Sequence, residues 1–360
     1  MNGSATTRDE LLYGIAVLGA GVVAIGVLIE PVLGWAGLLV GAVFGLTIAI
    51  GGALFASINL ATNAKWWKPL RHECVSLART LPVPAVALVI VLAAGVGVLY
   101  PWANEQFMAE SHLVHAKAGW LNRPFFTVRS VIILLLWLAF VSSLRRHLAK
   151  GHTVRLVRTG VVFLIVFGLT ISVGFWDWTM SLEPEWFSTM HGVYGFAGAF
   201  QVGIAVTLLL ALRNHKVGKK PLYDLGSLLF AFSLFWGYIW YCQGMLIWYA
   251  NVPEETFHYA NHMSNGWSSL FWLNPILNVV APIVLLMSRH ARRSRVMLGQ
   301  VAIVVVVGHF IDILLLVGPA AGRYNTPEVG GAASIMPVAA VGAALAVGAG
   351  MVILHRKLRW

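Results

Sequence analysis

The sequence predicts an all-α polytopic membrane protein with about ten transmembrane helices and both termini in the cytoplasm. Three observations predict it. Hydrophobic residues make up 59% of the chain and charged residues 11%, where a soluble domain carries about 25% charged residues. Ten apolar segments, at 11–29, 35–58, 83–101, 127–144, 155–176, 188–212, 224–250, 270–288, 298–318 and 336–355, each reach the roughly 17 residues or more that a spanning helix needs. All but four of the 25 Lys and Arg residues fall in the N-tail, the C-tail and the loops joining segments 2–3, 4–5, 6–7 and 8–9. The positive-inside rule places that face in the cytoplasm. The net charge of +11 is therefore a topogenic signal, and nucleic acid is not an expected partner.

In chain order, segment 1 follows a polar tail, ends at Glu30-Pro31 and lacks a small-residue cleavage pattern, so it is expected to be a retained span rather than a signal peptide. Segment 2 carries Gly37, Gly41 and Gly45 at four-residue spacing, a pattern that lets helix backbones approach closely. The loop at 102–126 has room for a short surface helix. A stretch at 175–194 joins segments 5 and 6 and concentrates Asp177, Glu183, Glu185, Trp176, Trp178, Trp186, His191 and Tyr194 with no Lys or Arg. It reads as a lid at the outer face. That face is acidic, with Glu30, Glu105, Glu110, Glu183, Glu185, Glu254, Glu255 and Glu328, and rich in Trp. Interfacial anchoring accounts for single tryptophans; a docking surface for an extramembrane partner accounts for the whole. Segment 6 adds Gly192, Gly195 and Gly198. Pro275 and Pro282 interrupt segment 8 beside Asn274 and Asn278, whose amides can satisfy freed backbone groups.

Ionisable groups within spans cost about 2.5–3.5 kcal/mol each at a helix centre, so each asks for a reason. Asp312 lies near the middle of segment 9 with His309 one turn earlier on the same face. The pair suits a proton relay or a static hydrogen bond that locks helix packing. On segment 6, His191, Tyr194, Gly198 and Gln201 share a face and suit a water chain, a quinone headgroup or simple polar satisfaction inside a bundle. Asp224, Ser227, Tyr238, Tyr241 and Gln243 line segment 7. With Asp177 and Glu183 at the outer end they make a discontinuous polar ladder.

Several chemistries are absent from the sequence. Two cysteines, Cys74 and Cys242, and no C-x-x-C-H exclude a covalently attached c-type haem and a cysteine-held iron–sulfur cluster. Haem b lacks a good pair of opposed histidines, since only His191 and His309 lie at depth. No Walker loop, dinucleotide fingerprint, zinc motif or catalytic Ser/Cys constellation occurs.

The run from Asp177-Trp178-Thr179-Met180-Ser181-Leu182-Glu183-Pro184-Glu185-Trp186 to Gly192-Val193-Tyr194-Gly195-Phe196-Ala197-Gly198 resembles the second NrfD-like (polysulfide-reductase membrane-subunit-like) component of alternative complex III. So do Tyr223-Asp224-Leu225-Gly226, Met245-Leu246-Ile247-Trp248-Tyr249-Ala250-Asn251-Val252-Pro253-Glu254-Glu255 and Leu273-Asn274-Pro275. The resemblance covers most of segments 5 to 9; segments 1 to 4 match mainly in topology. It implies a single domain over 1–360 in which two four-helix bundles, about 35–176 and 188–318, pack side by side with peripheral helices at 11–29 and 336–355. It also implies a bacterial inner-membrane subunit of a quinol:cytochrome c or quinol:electron-acceptor oxidoreductase. Its partners would be a sister NrfD-like subunit, a periplasmic iron–sulfur protein and c-type cytochromes, which would carry the haem and iron–sulfur centres. The expected proton relay is Asp177, Asp224, Tyr238, His309 and Asp312. The expected quinone or menaquinone contacts are His191, Tyr194, Trp178 and Trp186. His191 stands where an apolar or aromatic residue is usual, and Glu185 where His is frequent, so neither inherits a family role. A secondary transporter with a broken helix and a purely structural anchor are the alternative readings.

Overall fold

The computed structural model describes residues 3–264, 266–325 and 332–358. Glu328, counted above with the acidic outer loops, lies outside them. Among the described residues there is no strand, and ten helices are long and apolar enough to cross a membrane. They are α1 (Gly3–Ile29), α2 (Pro31–Ala61), α3 (Lys68–Leu99), α4 (Arg123–Ala149), α5 (Thr153–Trp178), α6 (His191–Arg213), α7 (Lys219–Ala250), α8 (Ser268–Leu286), α9 (Arg295–Asn325) and α10 (Ala332–Lys357). Most run a few residues beyond the apolar segments of the sequence, because a helix continues into polar flanks that a hydropathy pattern omits.

Local chemistry sets the helix ends and breaks. Asn122 caps α4 by accepting from the Phe125 N–H at 3.0 Å, with Pro124 in the first turn, where its missing N–H costs nothing. Asn251 ends α7 in the left-handed conformation, φ 49°, which Asn tolerates better than most residues. In α3, a π-helical turn at Val91–Gly95 lies where the Trp35 ring presses on Gly95. In α8, a second such turn at Ile276–Val280 separates Pro275 from Pro282. Pro282 cannot bond the carbonyl of Asn278, and the side-chain amide of Gln201 on α6 donates to it instead at 2.8 Å.

The helices pack around α2, the most enclosed of the ten. Contacts join α2 to α3 and α5, and α4 to α5; a second group joins α6 to α7 and α9, and α8 to both α7 and α9. The groups meet along α2–α6, α5–α6 and α2–α9, while α1 and α10 pack on each other and on α2. Glycine sets the closest approaches. A Cβ on Gly51 of α2 would stand 2.3 Å from the Ala199 carbonyl and 2.8 Å from Gly203 Cα on α6. The segment 2 stripe has a defined use: Gly37 and Gly41 seat Ala339 and Ala343 of α10, and Gly45 seats Val347. The loop at 102–126 holds short helices Glu105–Glu110 and His112–His115, and the α7–α8 loop holds a third, Pro253–His262.

Candidate functional site

The interior of the α6–α9 group is polar in one region, centred on Asp312. This carboxyl is 2% exposed. One oxygen, Oδ1, accepts from the Tyr194 hydroxyl of α6 in a short hydrogen bond and from Asn274 Nδ2 of α8 at 2.9 Å. The other, Oδ2, faces His309 Nδ1 at 3.9 Å. The far nitrogen of His309, Nε2, lies 2.8 Å from Thr47 Oγ1 of α2, so the cluster bridges the two helix groups. Asn278 Nδ2 donates to Asn274 Oδ1 at 2.7 Å, and Gln201 Nε2 donates to Ser233 Oγ at 3.0 Å. Both remaining amide oxygens, Asn278 Oδ1 and Gln201 Oε1, are buried without a hydrogen-bond partner. Gly198 makes room for the His309 ring, since a Cβ there would come within 3.0 Å of its Cε1.

A second cluster lies at the end of the molecule that carries Glu183. The Glu183 carboxylate makes a short bond to His258 Nδ1 and accepts from Asn261 Nδ2 at 3.3 Å. Trp186 stacks on His258 with ring centroids 3.8 Å apart and planes 7° from parallel. Burial alone would raise the Glu183 pKa. The charge and hydrogen bond of His258, with His262 and Asn261, outweigh it and hold the carboxyl below the ordinary range. Both nitrogens of His262 face backbone carbonyls, His258 O at 2.7 Å and Leu315 O at 2.9 Å. That arrangement favours a proton on each, yet burial, the larger effect, pushes the imidazole down to about 4. His191 stands between the clusters. Its Nε2 meets Thr179 Oγ1 at 2.7 Å and its ring lies 5.8 Å from Trp186 and 6.4 Å from Tyr194.

Several expected site residues fall elsewhere. Asp177 is held by Arg129 of α4 through two bonds of 2.9 and 2.8 Å, and by the Trp120 N–H at 3.0 Å. Arg129 is itself set between the Trp120 and Phe125 rings, 4.0 and 4.2 Å away. This is a paired ion in the α2–α5 group, apart from the Asp312 cluster. Tyr238 does not join the Asp312 cluster: it is 62% exposed, because α7 turns Trp236, Ile239 and Gln243 inward and leaves Tyr238 and Tyr241 outward. Asp224 is half-buried near the start of α7 and does not join the cluster. The grouping of Trp178 with Trp186, His191 and Tyr194 is also corrected. Trp178 donates to Ser130 Oγ at 3.0 Å and packs edge-on against Trp137, on the other side of the lid. Of the remaining three, the His191 ring lies edge-on to Trp186 at 5.8 Å and near-parallel to Tyr194 at 6.4 Å.

A recess of about 510 Å³ between α7 and α8 has a different lining, with Trp240, Met245, Trp248, Tyr259, Phe271 and Trp272. Sequence reasoning passed over Thr47, His258 and His262. The i,i+4 histidines of Pro253–His262 were a legible signal; Thr47, 262 positions from His309, gave none. No family model matches the chain, and no curated protein matches it at a significant level.

Proposed function

We propose that this chain is a membrane subunit of a respiratory quinol:electron-acceptor oxidoreductase of the alternative complex III type, and that Asp312 is the titrating centre of a proton path through it. The motif resemblance over segments 5 to 9 supports the first half. One observation carries the second: a carboxyl deep in an apolar helix group, served by a tyrosine, an asparagine and a histidine from three other positions on α6, α8 and α9. A group this costly to insert is expected to do work. Partners bring the haem and iron–sulfur centres, and quinol is oxidised beside them. Should this chain also meet a quinone, the aromatic recess between α7 and α8 suits the ring by size and lining.

In this reading the subunit sits in the bacterial cytoplasmic membrane with both termini inside and the Glu183 face towards the electron carriers. Asp312→Asn keeps the hydrogen-bonding shape and removes the proton. Proton translocation per electron, measured in proteoliposomes of the intact complex, is expected to fall while assembly persists. An unchanged stoichiometry would leave Asp312 as a packing lock. Affinity purification separates the transporter reading: a transporter comes out alone and colourless, a respiratory subunit with haem-coloured partners.

A further inference from the structure

The proton count of the Asp312–His309 pair can be read from Thr47. Its hydroxyl oxygen lies 2.9 Å from the Phe44 carbonyl and 2.8 Å from His309 Nε2. A hydroxyl has one proton to give. When that proton goes to the Phe44 carbonyl, the oxygen must accept from His309, so Nε2 carries a hydrogen. His309 Nδ1 then faces Asp312 Oδ2, 3.9 Å away, and without one more proton two lone pairs face each other and the pair carries a net negative charge. That proton sits on Asp312 as the neutral acid, or on Nδ1 as imidazolium beside carboxylate. Both arrangements have zero net charge.

The other arrangement turns the Thr47 proton towards Nε2. The Phe44 contact is lost, Nδ1–H faces an ionised Asp312, and the pair carries one net negative charge. His309 is 1% exposed, and the groups around the pair, Tyr194, Asn274, Trp236, Thr47 and Phe44, bring no positive charge. A charge there has only hydrogen bonds, such as those of Tyr194 and Asn274, and no counter-ion to offset its desolvation. The neutral arrangement also uses both Thr47 contacts.

We infer that Asp312 and His309 hold one dissociable proton between them, and that the Thr47 hydroxyl is a rotor whose direction is set by whether that proton is present. Once the two atoms close from 3.9 Å to hydrogen-bond distance, passage from Asp312 to His309 breaks the Oδ2–H bond and forms an Nδ1–H bond at constant net charge. Loss of the proton from the pair releases Thr47 to donate to Nε2. The same device recurs towards the Glu183 end. Thr179 Oγ1 lies 2.8 Å from the Phe175 carbonyl and 2.7 Å from His191 Nε2, and His191 Nδ1 is buried without a partner. When Thr179 donates to the Phe175 carbonyl, His191 Nε2 carries the hydrogen and Nδ1 is left to accept a proton; this ring lies 6.4 Å from Tyr194, so one Thr-held histidine stands beside each partner of the Tyr194–Asp312 bond. Thr47 and Thr179 are positioning residues.

This deepens the proton-conducting reading, and its test is made without turnover so that the two can fail separately. The full chain in lipid nanodiscs, with ¹⁵N-labelled histidine, is measured by solid-state NMR and infrared spectroscopy at neutral pH. The expected result is a His309 signal with protonated Nε2. It should come with a carboxylic-acid C=O band that Asp312→Asn removes, or with both ring nitrogens protonated and no such band. Thr47→Val should shift the His309 nitrogens and Thr47→Ser should restore them, which keeps the test open if Asp312→Asn fails to fold. Neutral His309 with hydrogen on Nδ1 and no acid band would overturn the inference, as would His309 nitrogens unmoved in Thr47→Val.

Discussion

At the scale of single residues, buried ionisable groups in this chain fall into two kinds. Asp177 and Arg129 form a closed ion pair in which each charge cancels the other, with side chains 0% and 9% exposed. Such a pair holds its geometry and moves no proton cheaply. Asp312 has neutral partners, which leaves it a proton to gain or lose. The contrast predicts different mutational behaviour. Arg129→Met strands a buried carboxylate and is expected to destabilise by about 3–5 kcal/mol, while the double replacement Arg129→Met with Asp177→Leu recovers most of it. Thermal unfolding of the two variants in nanodiscs checks this. Equal losses in both would mean that the pair stabilises the fold by its own attraction.

At the scale of elements, the short helix Pro253–His262 is tied to the bundle by polar bonds. His258 reaches Glu183, Asn261 reaches both Glu183 and the Pro319 carbonyl at 3.0 Å, and His262 reaches Leu315 O. Glu183 has a folded pKa below its ordinary value of 4.5. Its contribution to docking is therefore complete above pH 4.5 and lost as pH falls through the depressed folded value. The hydrogen-exchange protection factors of residues 253–262, rates corrected for the intrinsic pH dependence of exchange, should fall over that acid window in the wild type. In Glu183→Gln they should already be low at pH 6 and change little on acidification. These elements also mark what a sequence can and cannot disclose. Spans, basic loops and the His309–Asp312 pair are legible because each depends on spacing within one segment. The proline breaks of α8 and the asparagines beside them were legible for the same reason. Arg129 on Asp177, His258 on Glu183 and Thr47 on His309 are not, because each contact joins segments whose relative rotation no periodicity specifies. Tyr238 failed in the same way: polar residues on one helix were read as one ladder, and packing turned some of them outward.

At the scale of the whole molecule, a close backbone contact between α2 and α6 helps to couple the two helix groups. Gly51 and Gly203 meet with a virtual Cβ at either position within 2.8 Å of the other's backbone, and backbone cannot yield as a side-chain tip can. Thr47 lies one turn from Gly51 on α2, and the His309 ring of α9 seats against Gly198 of α6, so a change in the separation of α2 and α6 also moves Thr47 relative to His309. Gly51→Ala is accordingly expected to cost roughly 1–3 kcal/mol through overpacking and to lengthen the Thr47–His309 bond, moving the His309 nitrogen resonances in the same direction as Thr47→Val. Gly168 on α5 supplies the control, because a Cβ there meets nothing within 4 Å. Gly168→Ala should be neutral or should stabilise α5 by up to about 1 kcal/mol and leave His309 unmoved. A Gly51→Ala protein that loses stability but keeps wild-type His309 signals would show that packing between the groups and the proton site are independent, and that the Thr47 contact survives on the strength of its own hydrogen bonds.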